Sequence, residues 1–190
     1  MAAPFRNRSN IFDLEYGNLR GYINNTLLTY INQSMIGDGL LWNDKTNKLT
    51  GGAYINCFMF GSSYTTGITQ SATWTKLNVE TTEGFSRDGF VHTNNRITNT
   101  DGLRVIKLEA IVSVSSGNNN EIHLAFFKNG EIVPCSEQEL VTNSGGRLSG
   151  AAIQCLTEVD ENDYVEVWTK NQSGTTDIVC SNYNFIVTEL

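Results

Sequence analysis

The stretch RVIKLEAIVSVSSGNNNEIHLAFFKNGEIV, residues 104–133, decides the fold class of this chain. Every second residue of RVIKLEAIVSVS is apolar, which predicts a strand with one buried face. A Gly/Asn turn follows, and EIHLAFFK then repeats the alternation. The pair Asn129-Gly130 is a strong signal for a two-residue hairpin turn. The stretch therefore predicts consecutive antiparallel strands.

Similar apolar segments recur at short intervals toward the C-terminus, in GAAIQCLTEV, YVEVWTK and TTDIVCSNYNFIVTEL. Turn residues such as DEND separate them, and no helical period lies between them. Charged residues make up only 17% of the chain and Pro occurs twice, while Asn and Thr are abundant. This composition suits strands and turns. We predict an all-β protein with a β-sandwich over residues 71–190.

The N-terminal region, residues 1–70, differs from the predicted sandwich. Its first part lacks a sustained period and is interpreted as an arm or anchor held by whatever it binds. Within residues 20–36, INNTLLTYINQSM has apolar side chains at intervals of four and predicts a short helix. LLWNDKTNKLTGG predicts a hairpin, AYINCFMFG a strand, and GSSYTTGITQSAT a polar linker that ends the region.

Charge and targeting signals exclude several classes of partner. The net charge is −7, and no Lys/Arg cluster is present that would neutralise a row of phosphates, so nucleic acid is not expected as a partner. No secretory signal or run of transmembrane length is visible, so no membrane insertion is expected. The cysteines, Cys57, Cys135, Cys155 and Cys180, lack CxxC spacing, which favours buried free thiols over disulfides.

The strand in NDYVEVWTKN, residues 162–171, carries large side chains on both faces. Val165 and Val167 share one face, whereas Tyr164, Glu166 and Trp168 share the other. A sandwich buries only one face of each sheet between its layers. The aromatic side chains on the other face therefore need a further surface to bury them. Further copies of the chain could provide it, or loops of the same chain could. The sequence leaves both alternatives open.

Residues 85–190 resemble the C1q/TNF-like jelly rolls. TNTDGLRVIKLEAIVSVSSG, HLAFFKNGE, GAAIQCLTEVDENDYVEVWTKN and SNYNFIVTEL follow the order of strands and turns in that family. The resemblance implies a jelly-roll sandwich that forms a homotrimer with aromatic side chains at the threefold axis. The side chains that it places at this trimer interface are Phe127, Tyr164, Trp168 and Tyr183.

The chain is similar, more narrowly, to jelly rolls of tailed-bacteriophage virions, which have no collagen repeat. That similarity implies a capsid decoration or cement protein, assembled in the host bacterial cytoplasm and attached to the major capsid protein or another virion protein. The N-terminal arm would then be the capsid anchor. The predicted anchor residues are Phe5, Arg6, Arg8, Ile11, Phe12, Leu14, Tyr16 and Arg20.

Two alternatives remain for the function. A receptor-binding tip of a head or tail fibre would use distal loops such as SSGNNNE, residues 115–121, to bind a host surface glycan. A free intracellular trimer of unrelated role is the weaker alternative.

No set of residues predicts catalysis, so we expect no enzyme activity, no cofactor and no metal site. His92 and His123 are the two histidines, and neither lies in a known catalytic or metal-binding motif. The acidic turn with Asp160, Glu161 and Asp163 could hold calcium. Acidic residues are also common in tight turns, and we favour that interpretation.

Overall fold

The computed structural model describes residues 40–43, 48–87, 89–145 and 148–190, with side-chain environments from residue 52 onward. The chain divides into two compact units, Met1–Gly52 and Ala53–Leu190. The predicted capsid-anchor residues and the predicted helix within residues 20–36 lie outside the described residues.

The described part of the first unit is a hairpin. Its strands are β1 (Leu40–Asn43) and β2 (Lys48–Gly51). They pair antiparallel, with Leu40 opposite Gly51 and Asn43 opposite Lys48. This confirms the hairpin that the turn residues NDKTN predict.

The second unit is an antiparallel sandwich whose described strands form two sheets, which confirms the all-β prediction. The six-stranded sheet has the order β13-β9-β15-β3-β6, with β4 paired to β15. The seven-stranded sheet has the order β11-β10-β14-β8-β7, with β12 on β10 and β5 on β14. The strands are β3 (Tyr54–Met59), β4 (Tyr64–Thr66), β5 (Thr75–Lys76), β6 (Thr82–Arg87), β7 (Phe90–His92), β8 (Ile97–Asn99), β9 (Arg104–Ser115), β10 (Glu121–Lys128), β11 (Glu131–Ile132), β12 (Gln138–Val141), β13 (Ser149–Val159), β14 (Tyr164–Asn171) and β15 (Ile178–Glu189).

The alternation in β9 and β10 is confirmed. The apolar side chains at every second position of β9, from Ile106 to Val114, are predicted to be buried and are at most 2% exposed. Ile111 on the other face of the strand is 58% exposed. The hairpin between β10 and β11 turns at Asn129 and Gly130, with φ of +53° and +86°. Positive φ at both positions is the backbone that this turn requires, and Asn and Gly adopt it most readily.

The sandwich begins earlier in the chain than the sequence predicts. β3 pairs with β15 and β6, and β4 pairs with β15, so residues 54–66 belong to the six-stranded sheet. The boundary therefore lies at Ala53 rather than near residue 70. The stretch that the sequence predicts to be a polar linker contains β4. Although it consists mostly of Gly, Ser and Thr, its backbone pairs with β15.

The core lies between the sheets and includes Tyr183, which corrects its prediction as an axis residue. Tyr183 is 2% exposed, and its ring meets Phe185 edge-on at 6.3 Å between centroids. Phe126 of the opposite sheet stacks on Phe185 at 5.4 Å. The Tyr183 hydroxyl donates to the Oδ1 atom of Asn95, which is itself 1% exposed. Tyr183 therefore stabilises the subunit from within.

All four cysteines are free thiols, as predicted. Cys57 and Cys180 are buried, and burial raises the pKa of each to about 12. Cys155 is half-buried, and Cys135 is exposed, which corrects the expectation that it is buried. Cys135 occupies the turn after β11 with φ of +62°, so its side chain points away from the core rather than into a strand pattern.

Candidate subunit interface

The aromatic side chains on the outer face of the seven-stranded sheet are covered by the chain itself. Phe127 is 5% exposed, because the Trp168 ring stacks on it at 4.4 Å and 13°. Trp74 packs edge-on against Phe127 at 5.4 Å. Trp74 directly precedes β5, in which Lys76 pairs with Trp168. The strand β5 thus brings the cover to this face.

Glu166 lies beneath this cover and is the centre of an ion-pair network. The residue is 1% exposed, and its Oε1 atom accepts hydrogen bonds from Lys76 Nζ at 2.6 Å and Arg96 Nε at 2.7 Å. Its Oε2 atom accepts the indole N–H of Trp168 at 2.9 Å. Burial raises the pKa of Glu166, but these three donors outweigh it and hold the pKa below its ordinary value.

Arg96 also covers Tyr164. Its guanidinium lies 3.8 Å from the centre of the Tyr164 ring, within the range of a cation–π contact. Phe127, Tyr164 and Trp168 therefore share one face, as predicted, and Lys76, Arg96 and Trp74 provide their cover. The same chain thus supplies part of the second layer, and Tyr164 and Trp168 remain partly exposed.

A pH-dependent loss of stability should follow from Glu166. The pKa of Glu166 is lower in the folded protein than its ordinary value of 4.5, so the charge of Glu166 stabilises the fold above pH 4.5. This stabilisation is lost as the pH falls through the pKa of Glu166 in the folded protein. We expect Glu166→Gln to lower the free energy of unfolding at pH 7 by about 2 kcal/mol. Urea denaturation at fixed protein concentration measures this free energy of unfolding.

The control is Glu131→Gln, since Glu131 on β11 is exposed and lies outside the open face. The difference between Glu166→Gln and the parent should shrink as the pH falls from 4.5 through the lower pKa of folded Glu166, because the parent then also loses the charge. A difference that stays constant from pH 7 to pH 3 would contradict the role of the Glu166 charge.

The outer surface of β13, β9, β15 and β3, here called the open face, has no such cover in the described chain. Ala152, Ile111, Asn184 and Phe58 form one row across these four strands. Ile111 is 58% exposed and Phe58 is half-buried. Leu156 on β13 is 59% exposed. Exposed apolar side chains on one face of a sheet are typical of an interaction surface.

Two depressions lie on the open face, of about 270 and 360 Å³. Both are lined by Ile111 and Asn184; Ala152 and Ile186 line the first, and Phe58 the second. The Oδ1 atom of Asn184 is buried and has no hydrogen-bond partner within the described chain. A buried amide oxygen left unpaired costs about 1–3 kcal/mol. An added donor at this position would remove that cost.

The open face carries one ion pair on β9 and the exposed carboxylate of Glu158 on β13. Lys107 and Glu109 point outward from β9 and form an ion pair at 2.8 Å. Because the pair is neutral, it does not prevent identical copies of this face from approaching one another.

The acidic turn before β14 uses its carboxylate within the turn. Asp163 accepts hydrogen bonds from the backbone N–H of Asp160 at 2.9 Å and the side-chain amide of Asn129 at 2.6 Å. Partial burial raises the pKa of Asp163, but these bonds and nearby Lys128 hold it below its ordinary value. The carboxylate thus joins two neighbouring turns, in line with the predicted turn chemistry.

The two histidines have different surroundings. The Nε2 atom of His92, the last residue of β7, lies 2.6 Å from the Thr81 hydroxyl, which is an ordinary hydrogen-bond distance. His123 lies on β10 between the carboxylates of Glu121 and Glu137. Within the part of the chain that the structure describes, no helix is long and apolar enough to cross a membrane.

No protein-family model matches this chain, and no curated protein matches it. Solved structures do match. Murine APRIL at pH 5.0 has a TM-score of 0.51 and 10% identity over 72% of this chain and 98% of that chain. The fold is a TNF/C1q-like jelly roll. The vertex protein P5 of PRD1 has a TM-score of 0.44 and 13% identity over 73% and 96% of the two chains. These likenesses concern the fold.

Proposed function

We propose that this chain is the subunit of a homotrimeric structural protein of a tailed-phage virion. Its role would be capsid decoration, with the jelly roll above the shell and the N-terminal region bound to it. The observation that supports the proposal is the open face, with exposed Ile111 and Leu156 and the unpaired Oδ1 atom of Asn184. The narrower similarity of the chain to jelly rolls of tailed-phage virions suggests the virion setting.

In the proposed trimer, the open faces of three subunits meet at the threefold axis. This differs from the interface that the sequence implied, since Phe127, Tyr164 and Trp168 already have intramolecular cover. Burying a large apolar side chain contributes about 1.5–3 kcal/mol. Ile111 is repeated three times around the axis, and the neighbouring copy would supply the donor that Asn184 lacks. Closure of a ring leaves no open face exposed for further growth.

Attachment to the shell would use avidity. One trimer presents three N-terminal regions, so three modest contacts with capsid proteins act together. Residues 1–50 carry five basic and four acidic side chains, whereas residues 51–190 carry eight basic and sixteen acidic ones. The near-neutral N-terminal region can approach a protein surface that would repel the acidic sandwich.

The fibre-tip alternative has less support from the loop that it requires. Asn118 accepts the backbone N–H of Gly145 through Oδ1 at 2.6 Å, and Asn120 donates through Nδ2 to Ser116 Oγ at 3.3 Å. These side chains hold the loop together and have fewer groups left for a glycan. A rigid loop is nevertheless suitable for recognition, so glycan binding remains the second candidate function.

Two measurements test the proposal. Light scattering of the full chain at micromolar concentration should give three times the subunit mass. Purified protein should then bind expanded empty shells at fixed stoichiometry and leave host envelopes unbound. A monomer would contradict the trimer, and binding to envelopes without binding to shells would favour the fibre tip.

Deletion of residues 1–20 should abolish binding to shells and leave the trimer intact, because the sandwich does not include them. Shell sedimentation and light scattering measure the two outcomes. A variant in which a Gly/Ser segment of equal length replaces residues 1–20 controls for chain length. Unchanged decoration by either variant would exclude this segment as the anchor.

A further inference from the structure

His123 lies on the outer face of the seven-stranded sheet between two carboxylates of suitable spacing. Glu121 is two residues earlier on the same strand, so both side chains share a face. Glu139 on β12 is directly opposite His123 in the strand register. One ligand atom from each of the three side chains lies within 4.8 Å of the others.

We propose that Glu121, His123 and Glu139 bind a divalent first-row transition-metal ion such as Zn²⁺. One imidazole nitrogen and two carboxylate oxygens are ligands that such ions accept in proteins. Hard alkaline-earth ions prefer sites made only of oxygen, so the histidine selects against them. Three protein ligands leave one or more positions on the ion for water.

A second layer of side chains orients the imidazole. The Nε2 atom of His123 lies 2.7 Å from a Glu121 oxygen, and the Nδ1 atom lies 2.6 Å from Oε1 of Glu137. Glu137 is held in turn by Lys170 Nζ at 3.0 Å. A metal-binding histidine commonly donates its other N–H to a carboxylate in this way. With a metal ion on Nε2, the Nδ1–H would donate to Glu137 and fix the orientation of the ring.

The local charge favours a cation. Glu121, Glu137 and Glu139 bring three carboxylates to this patch, and Lys170 pairs with Glu137. Within the described residues, no hydrogen bond or ion pair is formed by the carboxylate of Glu139. A divalent ion between Glu121 and Glu139 would neutralise the charge that remains.

The site is reachable from solvent and separate from the proposed trimer contact. The side chain of Glu121 is 38% exposed and that of His123 is 13% exposed. Both belong to the seven-stranded sheet, whereas the open face belongs to the six-stranded sheet. The metal proposal therefore does not depend on the proposed function. A competing state without metal is an imidazolium that bridges Glu121 and Glu137.

Calorimetric titration of Zn²⁺ into the metal-free full chain tests the proposal. The exposed thiol of Cys135 could bind Zn²⁺ by itself, so the titration is made in both the parent and Cys135→Ser. We expect one ion per subunit in both. His123→Gln should abolish binding, whereas His92→Gln, the matched control at the other histidine, should bind as the parent does.

Glu137 is a positioning residue in this proposal and has its own test. Glu137→Ala should weaken Zn²⁺ binding by about 10- to 100-fold, the usual effect of losing such a partner. Glu137→Gln keeps a hydrogen-bond acceptor and should lose less. The thermal midpoints of the metal-free variants should remain close to one another, which separates positioning from a general structural defect.

Three results would overturn the proposal. The first is the absence of Zn²⁺ binding by the parent, which would leave the bridging imidazolium as the state of His123. The second is binding that persists in His123→Gln or disappears only in Cys135→Ser. The third is Ca²⁺ binding as tight as Zn²⁺ binding and independent of His123, which would indicate an oxygen-only site.

Discussion

Ile111→Asp should convert the trimer into folded monomers. Ile111 is 58% exposed in the subunit and lines both depressions of the open face, so the substitution leaves the core of the sandwich intact. In the proposed trimer it would bury three unpaired carboxylates close to one axis, at a cost of about 3–5 kcal/mol per subunit. Light scattering measures the mass, and circular dichroism verifies that the strands remain.

The matched control for this prediction is Val91→Asp. Val91 is 51% exposed on β7 of the other sheet, so the same change of charge occurs away from the open face. It should leave the trimer intact. A charged residue at Trp168 should destabilise the subunit by disturbing the stack on Phe127 and the bond to Glu166. If Ile111→Asp elutes at the parent mass, the open face is not the subunit interface.

Asn95→Ala should give the largest loss of subunit stability among the polar substitutions proposed here, about 3–5 kcal/mol. The Nδ2 atom of Asn95 donates to the carbonyls of Leu77 at 2.8 Å and Val167 at 2.7 Å. Its Oδ1 atom accepts the backbone N–H of Val167 at 3.1 Å and the hydroxyl of Tyr183. The carbonyl of Leu77, the N–H of Val167 and this hydroxyl would lose partners in a dry interior.

Tyr183→Phe is the informative comparison for Asn95→Ala. It removes one hydroxyl and leaves the Oδ1 atom of Asn95 bonded to the Val167 N–H, so we expect a loss of about 1 kcal/mol. The double variant should lose less than the sum, because the two side chains share one hydrogen bond. Urea denaturation measures all three variants. A loss below 1 kcal/mol for Asn95→Ala would mean that water replaces the amide.

The two sheets differ in how their outer faces are completed. Around Glu166, side chains from β5 and from the residues before β8 supply charge and aromatic contact within one subunit. On the open face, Asn184 retains an unpaired buried oxygen beside exposed Ile111. In the proposed trimer, neighbouring copies of the chain would cover this second face, which the sequence did not indicate.

The sequence alone predicted the long strands of the sandwich in their chain order, but it did not predict the short strands β5, β6, β7, β8 and β12. The long strands could be predicted from the alternation of apolar residues in β9 and β10, the Asn129-Gly130 turn and the later turn residues. Each of these signals depends only on residues that are close in the sequence. The same local rules placed β13, β14 and β15. The strand β4 was missed since its Gly, Ser and Thr content resembles a linker, and only the edge of β15 makes it a strand.

Only the tertiary structure decided which faces are covered. Period two groups Tyr183 with Phe185, and Tyr164 with Trp168, but it does not state which group faces the core. The cover of Glu166 comes from Lys76 and Arg96, at sequence separations of 90 and 70 residues. The carboxylates around His123 meet through the register of β10 with β12. Such contacts depend on how distant strands pair, and local alternation contains no information about that pairing.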